Sequence, residues 1–142
     1  MQWQSAQQLI ADLNLTSYLG SSSWRLPRVT PLNGTDFDPY HAPQKNDGSS
    51  DFGYGFTDTR SEIAFLWYSE LGNLGLCSPH SPTVCNAQSG FGLVNVDPFI
   101  NLARFEYWTE TDVGSGLNAV FWMDAGYQGA RTALVVTPAL GP

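Results

Sequence analysis

Trp24-Arg25-Leu26-Pro27 separates a stretch of helical periodicity from a long segment rich in Gly, Pro, Asp and Asn. A large aromatic, a bidentate cation, an aliphatic side chain and a proline of fixed φ make a packed junction that anchors loops. The residue types mark a corner of the fold rather than a reactive centre. Trp24 is expected to pack against the helices. Arg25 is expected to brace a carboxylate such as Glu62, or loop carbonyls, because its planar fork suits that task. Presentation of a ligand surface by Trp24 and Arg25 is the competing reading.

On the N-terminal side of the corner, Ala6, Leu9, Ile10 and Leu13 form the i, i+3, i+4, i+7 stripe of a surface helix over residues 4–15. Ser5 and Gln8 have capping-box spacing at its start, and Tyr18 to Ser23 end it. On the other side, residues 31–58 read as one long loop containing Asp36, Asp38, Asp47, Asp51 and Asp58. A connection of this length is usually functional or held by something else. Phe37, Tyr40, Phe52, Tyr54 and Phe56 are expected to pin it to the core. A second helix follows, with Thr59 and Glu62 at capping-box spacing and Ile63, Leu66, Trp67 and Leu71 on one face. Gly72 and Gly75 end it, and Gly90 to Val94 read as a short strand or a turn.

The last forty residues change character. Runs at 105–109, 119–123 and 132–137 are aromatic or β-branched, with Gly114 to Gly116 and Gly126 to Gly129 between them, and predict a three-strand antiparallel meander. Two helices followed by strands give an α+β class. At 142 residues the chain fits one domain, 1–142, expected to be cut from a longer exported polypeptide.

Charged residues make up only 13% of the chain, and thirteen acids against six bases leave a formal charge of −7. That field repels phosphate backbones and anionic membranes, so nucleic acid is an unfavourable partner and cations are favoured ones. No apolar run is long enough to span a membrane. The two cysteines, Cys77 and Cys85, flank a Pro/Ser-rich loop and predict a disulfide formed in an oxidising compartment. The competing metal site, both thiolates with His80, has only three ligands at no familiar spacing.

Helix, Trp24-Arg25-Leu26-Pro27, helix, Tyr107-Trp108-Thr109 strand and final hairpin together resemble a bacterial C-type-lectin-like domain of the Lcl C-terminal family. The chain is similar to a subtype found in proteins with a PEP-CTERM sorting tail. The Gly/Asp-rich stretch from Asp47 to Gly55, Ser61-Glu62-Ile63-Ala64 and Leu71-Gly72-Asn73 carry that similarity. The resemblance implies a C-type-lectin-like fold, two helices on a short, irregular, mainly antiparallel sheet with long loops. It also implies an exported location, and no common activity. Formylglycine-generating enzymes share the broad fold but need cysteines near the C-terminus, and none follows Cys85 here. The Glu-Pro-Asn, Gln-Pro-Asp and Trp-Asn-Asp tripeptides of sugar-binding C-type lectins are absent.

The candidate sites are of two kinds. Asp36, Asp38, Asp47, Asp51 and Asp58 are candidate calcium ligands, since calcium takes six to eight oxygens, but they also suit ordinary turns. Tyr107, Trp108, Trp122, Tyr127 and Arg131 of the meander are candidate ligand contacts, because aromatic faces stack on sugars or enter protein pockets. The competing reading is plain core; Trp108 and Trp122 are expected to be mostly buried, with Tyr127 and Arg131 more exposed. Catalytic expectations are poor: His41 and His80 lie in Pro-flanked loops, and no nucleophile elbow, metal motif or phosphate loop appears. Glu106, Glu110, Asp112 and Asp124 are the carboxylates available to a glycosidase, or simply solvated hairpin charges. The expected function is a non-catalytic extracellular module binding glycan, matrix or protein. The alternative is a self-associating subunit of a surface layer or filament, and a hydrolase is a distant third.

Overall fold

The computed structural model describes residues 1–37 and 44–133 and arranges them as an α+β fold. Helix α1 is Trp3–Leu15. Helix α2 is Glu62–Ala64, continued by a π-helical segment Phe65–Glu70. Strands β1 (Glu106–Gly114), β2 (Leu117–Trp122) and β3 (Tyr127–Thr132) form one antiparallel sheet in chain order. Asp38, Tyr40, His41 and most of the run at 132–137 lie outside the described residues.

Helix α2 is capped by Ser61, not by Thr59 as the capping-box spacing suggested. The buried Ser61 hydroxyl accepts the Ala64 N–H at 3.3 Å, and Glu62 is released to face the corner. The following turn widens, with the Leu71 N–H donating to the Leu66 carbonyl at 2.9 Å. This wider turn lets the consecutive residues Trp67 and Tyr68 both reach inward, their rings edge to face at 4.6 Å. Helix α1 departs further from expectation. Gln2 occupies its cap position with no side-chain bond, Ser5 is inside the helix, and Gln8 donates to Asp12 instead. Of its apolar stripe only Ala6 is buried, and an apolar groove of about 480 Å³ separates the helix from Leu26, Ile63 and Tyr107.

The Trp24–Pro27 corner joins α2 to the sheet. Arg25 donates through both terminal nitrogens to the Glu62 carboxylate, at 2.7 and 2.8 Å. The same carboxylate accepts the Arg28 backbone N–H at 2.9 Å. Beyond it, Val29 forms a bridge with Ser61, and the Glu110 N–H donates to the Pro27 carbonyl. Arg28 is hydrogen-bonded to Glu110. These contacts explain the break in the β1–β2 register between Trp108 and Asp112, where β1 bulges and turns to the corner. The corner is therefore a brace, as its residue types implied. Trp24 itself is 37% exposed and meets only the C-terminal end of α1 and the helical turn after it. Its ring rests near Tyr18, its indole N–H donates to the Tyr18 carbonyl, and its backbone exchanges two bonds with Asn14.

The hydrogen bonds from Arg25, with the Arg28 N–H behind them, hold the Glu62 carboxyl below its ordinary value of 4.5. A depressed carboxylate contributes stability that is present above the unfolded value and lost as pH falls through the folded one. Glu62→Gln is thus expected to lower Tm at neutral pH, with the gap to wild type closing as pH drops below about 4.5. The effect is small, because the Arg25 and Glu62 side chains are 41% and 42% exposed. Thermal melts of both proteins across that range check it, and a pH-independent gap rejects it.

Strand β3 begins five residues earlier than the sequence suggested. Gly126, at φ +75°, makes a tight turn whose N–H returns to the Trp122 carbonyl, so Tyr127 pairs directly with Trp122. A Cβ on Gly126 would lie 2.5 Å from the Trp67 ring. Gly129, expected as a separator, lies within the strand. The outer edge of β3 is covered by the 44–56 segment. Gly53 and Gln128 exchange both backbone bonds, at 2.9 and 2.8 Å, and the Gln128 amide donates to the Asp51 carbonyl. The corner meets the outer edge of β1 in the same way, at Glu110.

That 44–56 segment is itself held by the cysteine loop. Cys77 and Cys85 form the expected disulfide. The Asn46 amide donates to the Ser81 and Val84 carbonyls inside the loop, and the Asn46 N–H to Pro82. Phe52 and Phe56 are buried and Phe37 packs beside Phe52, as expected of aromatics pinning the segment. Replacing both cysteines by serine is expected to cost about 2–3 kcal/mol by freeing a short loop in the unfolded chain. Urea unfolding of the double variant measures this, and an unchanged midpoint would count against the link.

Candidate functional site

Alternation divides the sheet. Tyr107, Thr109, Ala119, Phe121, Gln128 and Ala130 face inward. Tyr107, Ala119, Phe121 and Ala130 join two apolar clusters, one around Trp67 and one around Val29 and Phe52. The outer face carries Glu106, Trp108, Asn118, Val120, Trp122, Tyr127, Gly129 and Arg131, with Asn118 and Val120 buried and the rings at its end half-buried. Four of the five candidate ligand residues are thus on one surface. Tyr107 is not: its hydroxyl accepts the Ala103 N–H at 3.0 Å, and its ring packs against the cluster that contains Trp67.

Three of the four make a continuous stack. The Trp122 and Tyr127 rings lie 5.0 Å apart, and Arg131 sits over Trp122 at 5.4 Å. Tyr54, from the segment on the β3 edge, extends the row edge-on to Tyr127 at 5.2 Å. Trp122 and Tyr127 are both half-buried and Arg131 is exposed, so Trp122 is more open than expected. Gly129 makes this possible. An added Cβ there would be 2.6 Å from the Tyr127 ring and 2.8 Å from the Trp122 ring, so both aromatics rest over bare backbone. Trp108 stands apart, half-buried, with its indole N–H donated to the Met1 carbonyl at 2.8 Å.

Polar groups fix the stack at both ends. Both Glu106 oxygens accept from the Arg131 Nε, at 2.8 and 2.9 Å. At the other end the Tyr127 hydroxyl donates to the Gln44 side-chain oxygen at 2.8 Å. Burial raises the Tyr127 and Tyr54 hydroxyls above their ordinary value of 10, so both remain proton donors at neutral pH. A cavity of about 190 Å³ opens beside Trp122 and Tyr127, with Gln44, Phe52, Gly129 and Ala130 in its walls. Apolar ring faces next to fixed donors and acceptors suit a ligand with both apolar C–H and hydroxyl surfaces.

The described aspartates turn to separate partners. Asp47 accepts from the Ser49 N–H and hydroxyl, whose hydrogen bonds lower its pKa. Asp51 accepts the Leu32 N–H, Asp58 accepts from Arg60, and Asp36 accepts from the Thr35 hydroxyl. Among the described residues no three His, Cys, Asp or Glu side chains gather as metal ligands. The hairpin carboxylates also disperse, Glu106 to Arg131, Glu110 to Arg28 and Asp112 to the Gly114 N–H. His80 is exposed on the cysteine loop.

Tyr54, Gln44, Glu106 and Gly129 were missed as parts of one site. Tyr54 and Gln44 come from a segment some seventy residues from β3, and no local pattern encodes that pairing. Gly129 had a usable signal, a glycine between two aromatic-rich runs, but it read as punctuation.

The fold and the stack define an α+β domain with an aromatic and guanidinium surface on one face of the β2–β3 hairpin. Compared with models of known families, with curated proteins and with solved structures, the chain has no match. No helix among the described residues is long and apolar enough to cross a membrane.

Proposed function

We propose that this domain is a non-catalytic, extracellular binding module that holds a glycan on the Trp122–Tyr127–Tyr54 stack. The observation that carries the reading is the pair of half-buried rings laid over Gly129 and fixed by Arg131 and Gln44. Rings already locked in place lose little entropy on binding, which favours a ligand with weak individual contacts. A C-type-lectin-like fold is part of the proposal, supported by the order of helix, Trp24–Pro27 corner, helix and antiparallel hairpins. The disulfide favours an exported location.

A glycan array probed in calcium and in chelator, with wild type and Trp122→Ala in parallel, tests the reading. Binding lost in the variant supports it, and binding lost in chelator assigns calcium a part. Binding by the variant equal to wild type moves recognition away from the stack. Self-association is the second reading, favoured by the groove beside α1, whose rim carries exposed Leu9 and Phe105. A rise in particle size with concentration would support it.

A further inference from the structure

We infer that the stack selects a carboxylate-bearing sugar, with the carboxylate docking on the Nη1–Nη2 edge of Arg131. This rests on the glycan reading above and names the class of glycan. Arg131 spends only its Nε on Glu106, and among the described residues no acceptor meets Nη1 or Nη2. Its side chain is 56% exposed. Three other arginines use their terminal nitrogens internally: Arg25 on Glu62 and the Leu26 carbonyl, Arg60 on the Gly48 carbonyl, and Arg104 on the Leu93 carbonyl. Arg28 also pairs through Nε alone, but it lies at the corner, beside no aromatic stack.

The geometry prepares Arg131 for an anion. Glu106 holds one edge, and the Trp122 face supports the guanidinium plane from the side. The remaining edge offers two parallel N–H donors, the arrangement that matches a carboxylate with both oxygens engaged. Glu106 leaves the pair nearly neutral, so attraction at a distance is weak and recognition depends on contact. The overall charge of −7 also opposes non-specific uptake of polyanions. A sugar ring held in the cavity beside Trp122 and Tyr127 would meet apolar ring edges while its carboxylate reaches for Arg131, and this joint requirement favours an acidic sugar over an acidic peptide.

Titration calorimetry with an oligogalacturonide, the neutral oligogalactoside of equal length and linkage, sialyllactose, lactose and polyglutamate tests the inference. Wild type is expected to prefer one acidic sugar over its neutral counterpart by about tenfold, the scale of one charge-assisted bidentate contact. Whether uronate or sialate shows the preference assigns the source of the carboxylate. Arg131→Gln should lose the preference, so that acidic and neutral sugars bind it alike. Arg131→Lys, which keeps the charge without the fork, should recover only part of it. Equal wild-type binding of acidic and neutral sugars overturns the inference and leaves the glycan reading standing. An undiminished preference in Arg131→Gln, or equal binding of polyglutamate, also overturns it. Binding to none of the sugars removes the glycan reading and the inference together.

Discussion

Trp67→Ala is expected to lower the unfolding free energy by about 3–5 kcal/mol, the range for deleting a large buried aromatic. Trp67 has no solvent exposure and touches Tyr68 and Phe121 through edge-to-face contacts at 4.6 and 5.7 Å. Its indole N–H also satisfies the Met123 carbonyl at 3.0 Å, where β2 ends. Truncation therefore opens a cavity and removes a buried donor, two costs that act in the same direction. A domain of this size has a total stability of about 5–15 kcal/mol, so the variant is expected to be marginal or unfolded. Trp67→Phe separates the two costs. It keeps most of the ring volume and loses the hydrogen bond, with an expected loss nearer 1–3 kcal/mol. Urea unfolding reports both values. A loss below about 1 kcal/mol for the alanine variant would mean that the core is not organised around this ring.

The second large effect is on binding. If the domain holds a glycan as proposed, Trp122→Ala weakens that binding by about 2–4 kcal/mol, as for truncation of a central aromatic anchor, which is roughly thirtyfold or more. The ring contacts both Tyr127 and Arg131, so its removal takes away a stacking face and frees the guanidinium from its support. Stability should fall much less than for Trp67→Ala, because Trp122 is half-buried on the outer face. Calorimetry beside a thermal melt distinguishes the cases. Lost binding with a native melt places the ligand on the stack; preserved binding places it elsewhere. Gly129→Ala probes the same surface without deleting an aromatic. Its methyl group would displace both rings, and binding should fall though every ring remains.

The corner shows how closely a local pattern can anticipate a long-range contact. Arg25 and Glu62 are far apart in the chain, yet an arginine in a packed turn needs a carboxylate, and Glu62 leads the next strongly periodic segment. The helix caps show the opposite. Thr59–Glu62 and Ser5–Gln8 both fit a capping box by spacing, but Glu62 is drawn to Arg25 and α1 starts before Ser5. A cap is worth about 1 kcal/mol, and a charge-assisted pair or a shift in helix start can outweigh it. The third strand was placed late for a related reason. β-branched residues at 132–137 signalled a strand by composition, whereas the turn at Gly126 fixed the register from Tyr127 onward.

From the sequence alone came the α+β order, the brace at Trp24–Pro27, the disulfide and the aromatic pinning of the long segment. Each follows from periodicity, residue chemistry or a short loop, which are properties of neighbouring residues. Only the tertiary structure decided which aromatics share a face. It set Tyr107 inward, left Trp108 to the Met1 carbonyl, and brought Tyr54 and Gln44 to Tyr127. That choice depends on strand register, where a shift of one residue exchanges the two faces, and on the pairing of Gly53 with Gln128 across a long separation in sequence.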